Sequence, residues 1–224
     1  MPSVLLVRHG QASFGAEDYD VLSPAGRRQA EVLAAALERR GIVPARLLSG
    51  SMRRQRETAA AFAAHGELEI DPRWDEYDAN EVLGHHADTG LRLDGPGGID
   101  GGEITSKDFQ AMLEPALAGW IAAGHDSPST RPWPAFSAAG NEALAQLTSE
   151  LGRGETALVF TSGGVIAAVC AALLGAPESF LPINRVLVNA AVTKLVIGST
   201  GTNLISFNDH SHLEDADRAL VTYR

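Results

Sequence analysis

The first apolar positions of the chain come as an unbroken run, Val4-Leu5-Leu6-Val7, which stops abruptly at Arg8-His9-Gly10. A short continuous run of this kind predicts a strand buried on both faces, as in the middle of a parallel sheet. Residues 11–22 are polar enough for a loop. Ser23-Pro24 then reads as an N-cap and first helical residue, and Ala30, Leu33, Ala34 and Leu37 recur on one face of a helix that reaches about residue 40 and ends at Gly41. Arg46-Leu47-Leu48-Ser49 reads as a second strand. A helix starting near Met52 is expected to carry Ala59, Ala60, Phe62 and Ala63 inward, and residues 68–70 as a third strand. Strands and helices alternating at this spacing predict a parallel sheet with right-handed crossovers and helices on both faces.

The alternation breaks between about residues 77 and 134. Seven glycines fall in residues 83–102, too many for a packed element. Ser106 caps a helical stretch with Phe109, Leu113, Leu117 and Trp120 near helical spacing, and Pro115 is expected to kink it. Residues 125–134 read as a further loop. An insertion of this length in a compact domain is expected to lie over a site as a lid or binding loop. Regular alternation then resumes with a helix over 137–151, a strand at Ala157-Leu158-Val159-Phe160, and a helix over 165–174 stopped by Gly175 and Pro177. Residues 186–188, 193–197 and 204–207 are strand-like, and 198–201 read as the turn between two antiparallel edge strands. The pattern therefore predicts a single α/β domain over 1–224: a three-layer sandwich with a mostly parallel central sheet, helices on both faces and a cap region inserted at about 77–134.

Composition changes this picture little. With 224 residues, 45% hydrophobic and 21% charged, the chain is an ordinary globular one. A net charge of -10 argues against nucleic acid or an anionic membrane as a partner. A protein this acidic that handles an anion must gather its arginines locally. The single cysteine, Cys170, permits no internal disulfide and fits a reducing cytoplasm. Its apolar setting, "VIAAVCAALLG", reads as a buried structural thiol. Met1-Pro2-Ser3 has no cationic character and the following apolar run is too short for a signal segment. Residues 156–177 lack any charge and are long enough on paper to span a bilayer, but Thr161-Ser162-Gly163-Gly164 splits them into a strand and a core helix.

Three places carry candidate chemistry. Arg8-His9-Gly10 ends a buried strand, at the edge where open α/β sheets bind ligands. An imidazole there can act as nucleophile or base, a guanidinium can clamp an oxyanion, and a glycine permits close approach of a ligand to backbone. The plainer alternative is a strand end capped by solvated polar residues. Arg53, Arg54 and Arg56 stand at the start of a helix, where cations oppose the macrodipole and a bound anion would compensate. Ser162-Gly163-Gly164 opens another helix, whose backbone N–H groups suit an anion without any side-chain charge. His85-His86, with Asp88 nearby, suggests a metal pair, but no matching ligand cluster follows and an exposed loop is the simpler reading.

The segments "LLVRHGQ", "LSPAGRRQAEVLAAAL" and "SGSMRRQRETA", in that order, resemble the histidine phosphatase superfamily, also called phosphoglycerate mutase-like, whose signature is an Arg-His-Gly triplet at the end of the first strand. The resemblance covers most of the chain. It implies hydrolysis of a phosphate monoester through a phosphohistidine on His9, with Arg8 and Arg54 as the phosphate clamp. Arg53 and Arg56 are then expected at the rim or in solvent, and Gln11 and Ser13 as hydrogen-bond donors to the substrate. Glu76, in "RWDEYD", corresponds to the family's proton-donating glutamate, with Asp75 as the alternative. Ser162 is a departure: it stands where the second active-site histidine belongs, so its hydroxyl and the N–H of Gly163 are the phosphate-binding groups expected at that place. His210, in "FNDHSHLE", is a conceivable source of the missing imidazole. The resemblance implies no metal or other cofactor and a small phosphorylated substrate, with the chain a monomer or homodimer. Mutase activity is the less favoured reaction, because no device for retaining a phosphoglycerate intermediate is visible. The alternative from another class is a catalytically impaired phospho-ligand binding or regulatory module.

Overall fold

The computed structural model describes residues 1–13, 18–87, 98–99, 102–103 and 106–223. In chain order the elements are β1 (Ser3–Arg8), α1 (Pro24–Arg39), β2 (Arg46–Ser49), α2 (Arg53–Ala59), β3 (Leu68–Ile70), α3 (Ala79–His86), β4 (Gly98–Ile99), β5 (Gly102–Glu103) and α4 (Ser106–Ala123). They continue with α5 (Trp133–Glu150), β6 (Thr156–Thr161), α6 (Gly163–Leu173), α7 (Phe180–Val186), β7 (Val192–Gly198), β8 (Gly201–Asp209) and α8 (Ser211–Ala216).

Six strands form the central sheet in the order β3-β2-β6-β1-β7-β8. The β3-β2, β2-β6 and β6-β1 pairs are parallel, and β7 and β8 add an antiparallel edge. The apolar run of β1 thus lies in the interior of the sheet, where period-2 alternation sends its side chains to two separate cores. Val4 and Leu6 pack with Trp74, Trp120, Phe136, Ile166 and Val169 on one face; Leu5 and Val7 pack with Leu33, Leu37 and Phe62 on the other. Each of these four β1 side chains is at most 3% exposed. Full burial stabilises by roughly 1.5–3 kcal/mol per side chain, so the strand that carries His9 is a rigid platform.

Ser23 caps α1 as its position requires, its Oγ accepting the N–H of Gly26 at 3.0 Å, with Pro24 at the first helical position. Residues 156–177 divide into β6 and α6 inside the core, and no helix among the described residues is long and apolar enough to cross a membrane.

Several local expectations need correction. The segment after β2 changes from α2 to a 3-10 helix at Ala60, and in that helix residues three apart eclipse, so Ala60 and Ala63 share the exposed face while Phe62 turns in. Residues 186–188 are not a strand: Val186 ends α7, and the N–H of Val188 bonds to the side chain of Asn208 rather than to a ladder partner. α5 begins at Trp133, four residues before the predicted start, because Pro132 and Pro134 both fit a helix N-terminus. Part of the 77–134 segment is helical as well. α3 continues through Gly84 to His86, and α4 runs without interruption through Pro115. Leu83, Leu113, Leu117 and Trp120 of this segment join the core on the Val4/Leu6 face. Most of the glycine-rich stretch expected at 83–102 lies outside the described residues.

Candidate active site

Register brings three strand ends together. Arg8 pairs with Thr161 and Ser49 with Phe160, and the ladder continues one residue further through His9 N–H to Thr161 O at 2.9 Å and Gly50 N–H to Phe160 O at 3.1 Å. The residues that follow β1, β2 and β6 therefore share one edge of the sheet, the carboxyl edge at which parallel sheets bind ligands.

His9 is 5% exposed and its tautomer is fixed by its neighbours. Its Nδ1 lies 2.7 Å from the Gly10 carbonyl oxygen, which only accepts, so Nδ1 carries the proton. Its Nε2 accepts the Nε–H of Arg54 at 3.1 Å, so that nitrogen carries the lone pair. The backbone beneath is tied down on both sides. Gly10 N–H donates to Thr58 Oγ1 at 2.9 Å, and that hydroxyl donates to Arg54 O at 2.7 Å. The carbonyl of His9 accepts Asn189 Nδ2–H at 3.2 Å and the N–H of Ala190 at 3.3 Å. Ala190 has φ 56°, a left-handed conformation that costs a non-glycine residue roughly 1–2 kcal/mol. That conformation aims its N–H at the carbonyls of Arg8 and His9.

Arg8 is the last residue of β1 and precedes His9. It is 3% exposed, and its Nη1 donates to the Leu187 carbonyl. Arg54 arrives from the first turn of α2 and is 6% exposed. Besides His9 it holds Asp20 Oδ1 at 2.7 Å through Nη1, and its Cζ sits 5.6 Å from the Tyr19 ring centroid. Its two neighbours point outward: Arg53 is exposed and paired with Asp18 and Glu57, and Arg56 is exposed. Of three arginines in one short helix, one is turned into the site.

Gly10 serves a close approach, but to protein rather than to ligand. A Cβ there would lie 2.5 Å from the Gly26 carbonyl oxygen, so the loop after β1 presses on the start of α1. Gln11 completes that seam. Its N–H donates to Gln29 Oε1 at 2.8 Å, and its side-chain oxygen accepts the Ser23 hydroxyl at 2.8 Å. Ser13 pairs through its backbone with Val21.

The start of α6 is organised differently. Ser162 is fully buried, and its Oγ accepts Gln55 Nε2–H at 2.8 Å; the same amide also donates to Trp74 O at 3.1 Å. The N–H of Gly164 donates to Glu76 Oε2 at 2.9 Å. Only glycine fits at 164, because a Cβ would lie 2.2 Å from Glu76 Oε1 and 2.6 Å from the Tyr77 ring. The N–H of Gly164 at this helix N-terminus is thus taken by a group of the protein itself, the Glu76 carboxyl. Asp75 points elsewhere, accepting the N–H and hydroxyl of Ser51 at 2.5 Å each. Of the two acidic candidates, Glu76 is the one placed at the start of α6.

Three further residues converge here that the linear pattern does not single out: Gln55, Asn189 and Arg131. Arg131 is half-buried; its Nη1 donates to Asp75 O at 3.3 Å and its Cζ lies 5.0 Å from the Phe136 ring centroid. Burial lowers its pKa, opposed by the nearby carboxylates of Asp75 and Glu76.

The remaining histidines and the cysteine lie apart. The hydrogen bond of His210 runs to Asn208 O at 2.7 Å, with Glu214 3.9 Å away, in the corner between β8 and α8. His212 is buried against Ala190 O, and burial pushes its pKa down. His85 and His86 close α3 rather than sit in a loop, and His86 Nε2 meets Ser127 Oγ at 2.8 Å; Asp88 lies outside the described residues. Among the described residues no group of three or more His, Cys, Asp or Glu is placed to hold a metal ion. Cys170 is fully buried and its thiol is pushed up to about 12 by that burial, which leaves it unreactive.

The family model described as "Histidine phosphatase superfamily (branch 1)" matches residues 4–94 and 99–210. No curated protein matches the chain. Among solved structures, a phosphoserine phosphatase of Entamoeba histolytica in complex with phosphoserine is similar at TM-score 0.67 and 19% identity, over 95% of this chain and 100% of that one. A Bacillus stearothermophilus protein gives TM-score 0.67 and 20% identity over 95% and 100%. A mycobacterial glucosyl-3-phosphoglycerate phosphatase gives 0.61 and 23% over 92% and 98%. At these identities the likeness is one of fold.

Proposed function

The chain belongs to the histidine phosphatase superfamily, and from that premise we propose that it hydrolyses a small phosphate monoester through a phosphohistidine on His9. The observation that carries this reading is the state of the imidazole: Nδ1–H held on the Gly10 carbonyl and the Nε2 lone pair directed to the arginine side. In the first step Nε2 attacks phosphorus and the P–O bond to the leaving group breaks. Glu76 gives its proton to the departing oxygen, which matters most for a poorly leaving alkoxide. The phosphorylated imidazole keeps its Nδ1 proton, and the Gly10 carbonyl stabilises the positive charge. In the second step water attacks phosphorus, its proton passes to the Glu76 carboxylate, the P–N bond breaks and inorganic phosphate leaves.

In this reading Arg8 and Arg54 neutralise the transferring phosphoryl oxygens by charge-assisted hydrogen bonds. Ser162 stands in the position of the second histidine, and residues 77–134 act as the cap that selects the leaving group. Turnover on phosphate monoesters by the purified protein, abolished in His9→Ala, is the expected result. Turnover by that variant at the normal rate would overturn the mechanism. Binding of vanadate without any turnover would favour the regulatory module, which the neutral Ser162 site also permits.

A further inference from the structure

The peptide that fixes the His9 proton is itself held from behind. Its carbonyl, that of Gly10, accepts Nδ1–H, and the N–H at its other end, that of Gln11, donates to Gln29 Oε1 at 2.8 Å. A peptide is planar, so holding its N–H also aims its C=O. Gln29 lies on α1 and is fully buried. Its amide nitrogen donates to Leu220 O at 2.7 Å and to Thr222 Oγ1 at 2.8 Å. The Thr222 hydroxyl donates in turn to Asn189 Oδ1 at 3.0 Å, and Asn189 Nδ2–H donates to the His9 carbonyl at 3.2 Å. Two routes therefore run from one hydroxyl to the two peptides that flank Gly10. The donors along them have one possible order. Gln11 N–H only donates and Leu220 O only accepts, so the Gln29 amide stands one way round. Thr222 accepts from Gln29 and passes its own proton to Asn189, which leaves Nδ2 to face the His9 carbonyl. Bonds that run in one direction strengthen one another. The segment that carries Thr222 is seated as well: Leu220 and Val221 pack on Val188, Ala191 and Leu213, and Thr222 O accepts the N–H of Asn189 at 2.9 Å.

We propose that Thr222 is a positioning residue for the reaction: through Gln29 and Asn189 it holds the two peptides that flank Gly10, and so keeps His9 in the Nδ1–H tautomer with the Nε2 lone pair on the arginine side. This rests on the phosphohistidine reading above and adds the residues that prepare its nucleophile. Once the Gly10 carbonyl can turn away from Nδ1, the imidazole gains access to its other tautomer. That form carries a proton on Nε2 and has no lone pair there for phosphorus. Arg54 favours the productive tautomer from the other side, so loss of the support should admit some Nε2–H imidazole rather than convert the ring completely. Thr222 reaches the imidazole only through other residues, so its hydroxyl should matter to kcat and little to KM.

The test reads the tautomer directly, from the imidazole nitrogen shifts of protein labelled with 15N-histidine, with the His9 signals identified by their loss in His9→Ala. The wild-type protein should show neutral His9 as the Nδ1–H form. Thr222→Val, which keeps the shape and removes the hydroxyl, should add the Nε2–H form. It should also lower kcat by roughly threefold to tenfold, the share of one neutral hydrogen bond. Thr222→Ser, which keeps the hydroxyl, should recover the single tautomer and most of the rate. Gln29→Met, which leaves the Gln11 N–H without its acceptor, should show more of the Nε2–H form and a loss of up to about a hundredfold in kcat; if that variant does not fold, Thr222→Val decides alone. A single Nδ1–H tautomer in Thr222→Val overturns the proposal whatever the rate does, and a rate loss without a tautomer change would make Thr222 a support of the fold only. An Nε2–H wild type overturns it as well. The spectra need no turnover. A tautomer change in Thr222→Val within a protein that hydrolyses nothing sustains the positioning role and sinks only the phosphatase reading, whereas normal turnover with one tautomer throughout does the reverse.

Discussion

The end of β1 and the start of α6 lie on the same edge of one sheet, yet they are built on opposite principles. At the end of β1 the protein holds one side chain in a chosen state: the Gly10 carbonyl and Arg54 fix the His9 tautomer, and Thr58, Asn189 and Ala190 hold the peptide beneath it. At the start of α6 two groups have protein partners: the Ser162 Oγ accepts the Gln55 amide, and the Gly164 N–H donates to Glu76. The difference shows that a helix N-terminus can be used in two ways. It can bind the substrate's phosphate directly, or it can hold a carboxylate that acts on the substrate. Here it holds Glu76, and the buried arginines, Arg8 and Arg54, stand on the β1 and α2 side.

Five substitutions press on that contrast. The largest effect is expected for Glu76→Gln, which keeps the shape and the Gly164 contact but has no proton to give: turnover of alkyl phosphates should fall by roughly 10²–10⁴, and that of aryl phosphates far less. Equal losses on both classes, measured as kcat, would make Glu76 a binding group and erase the distinction between the halves. Arg54→Ala should weaken vanadate inhibition by roughly ten- to a hundredfold. Unchanged inhibition would move the clamp to Arg53 or Arg56.

Ser162→His should lower kcat/KM and destabilise the fold by roughly 1–3 kcal/mol, because the ring must displace the Gln55 amide from a fully buried place. The pair Ser162→His with Gln55→Ala should recover what the single change loses, a double-mutant cycle that denaturation and kinetics can both read. A gain from Ser162→His alone would show that the pocket had room for an imidazole. The smallest effect belongs to Ser162→Ala, a loss of about threefold to tenfold in kcat/KM for one neutral hydrogen bond, with vanadate affinity retained.

The parts legible in the sequence are those set by local rules. β2 and β3 fall where short apolar runs are bounded by turns, α1 where Ser23-Pro24 opens an apolar stripe, and the His9 edge where that first run meets Arg8. α7 is hidden because Pro182 interrupts a short helix whose last residue, Val186, opens the apolar run Val186-Leu187-Val188, which resembles a strand. α3 was hidden by Gly84, which the structure places on an exposed turn of the helix, where it costs only propensity. The contacts of Gln55 with Ser162 and of Arg131 with Asp75 join residues 107 and 56 positions apart, and no spacing rule reports them. The family pattern pointed to Ser162 as the gap; only the packing shows that Gln55 lies against it.

The central claim is that His9, in the tautomer set by Gly10 and Arg54, is the atom that takes the phosphoryl group. Rapid quenching of the wild-type protein with a labelled phosphate monoester tests it directly. The account predicts a covalent phosphoryl adduct, labile in acid and stable in base, located on His9 by peptide mapping and absent from His9→Ala. Steady turnover with no such adduct, or an adduct that persists in His9→Ala, would contradict it.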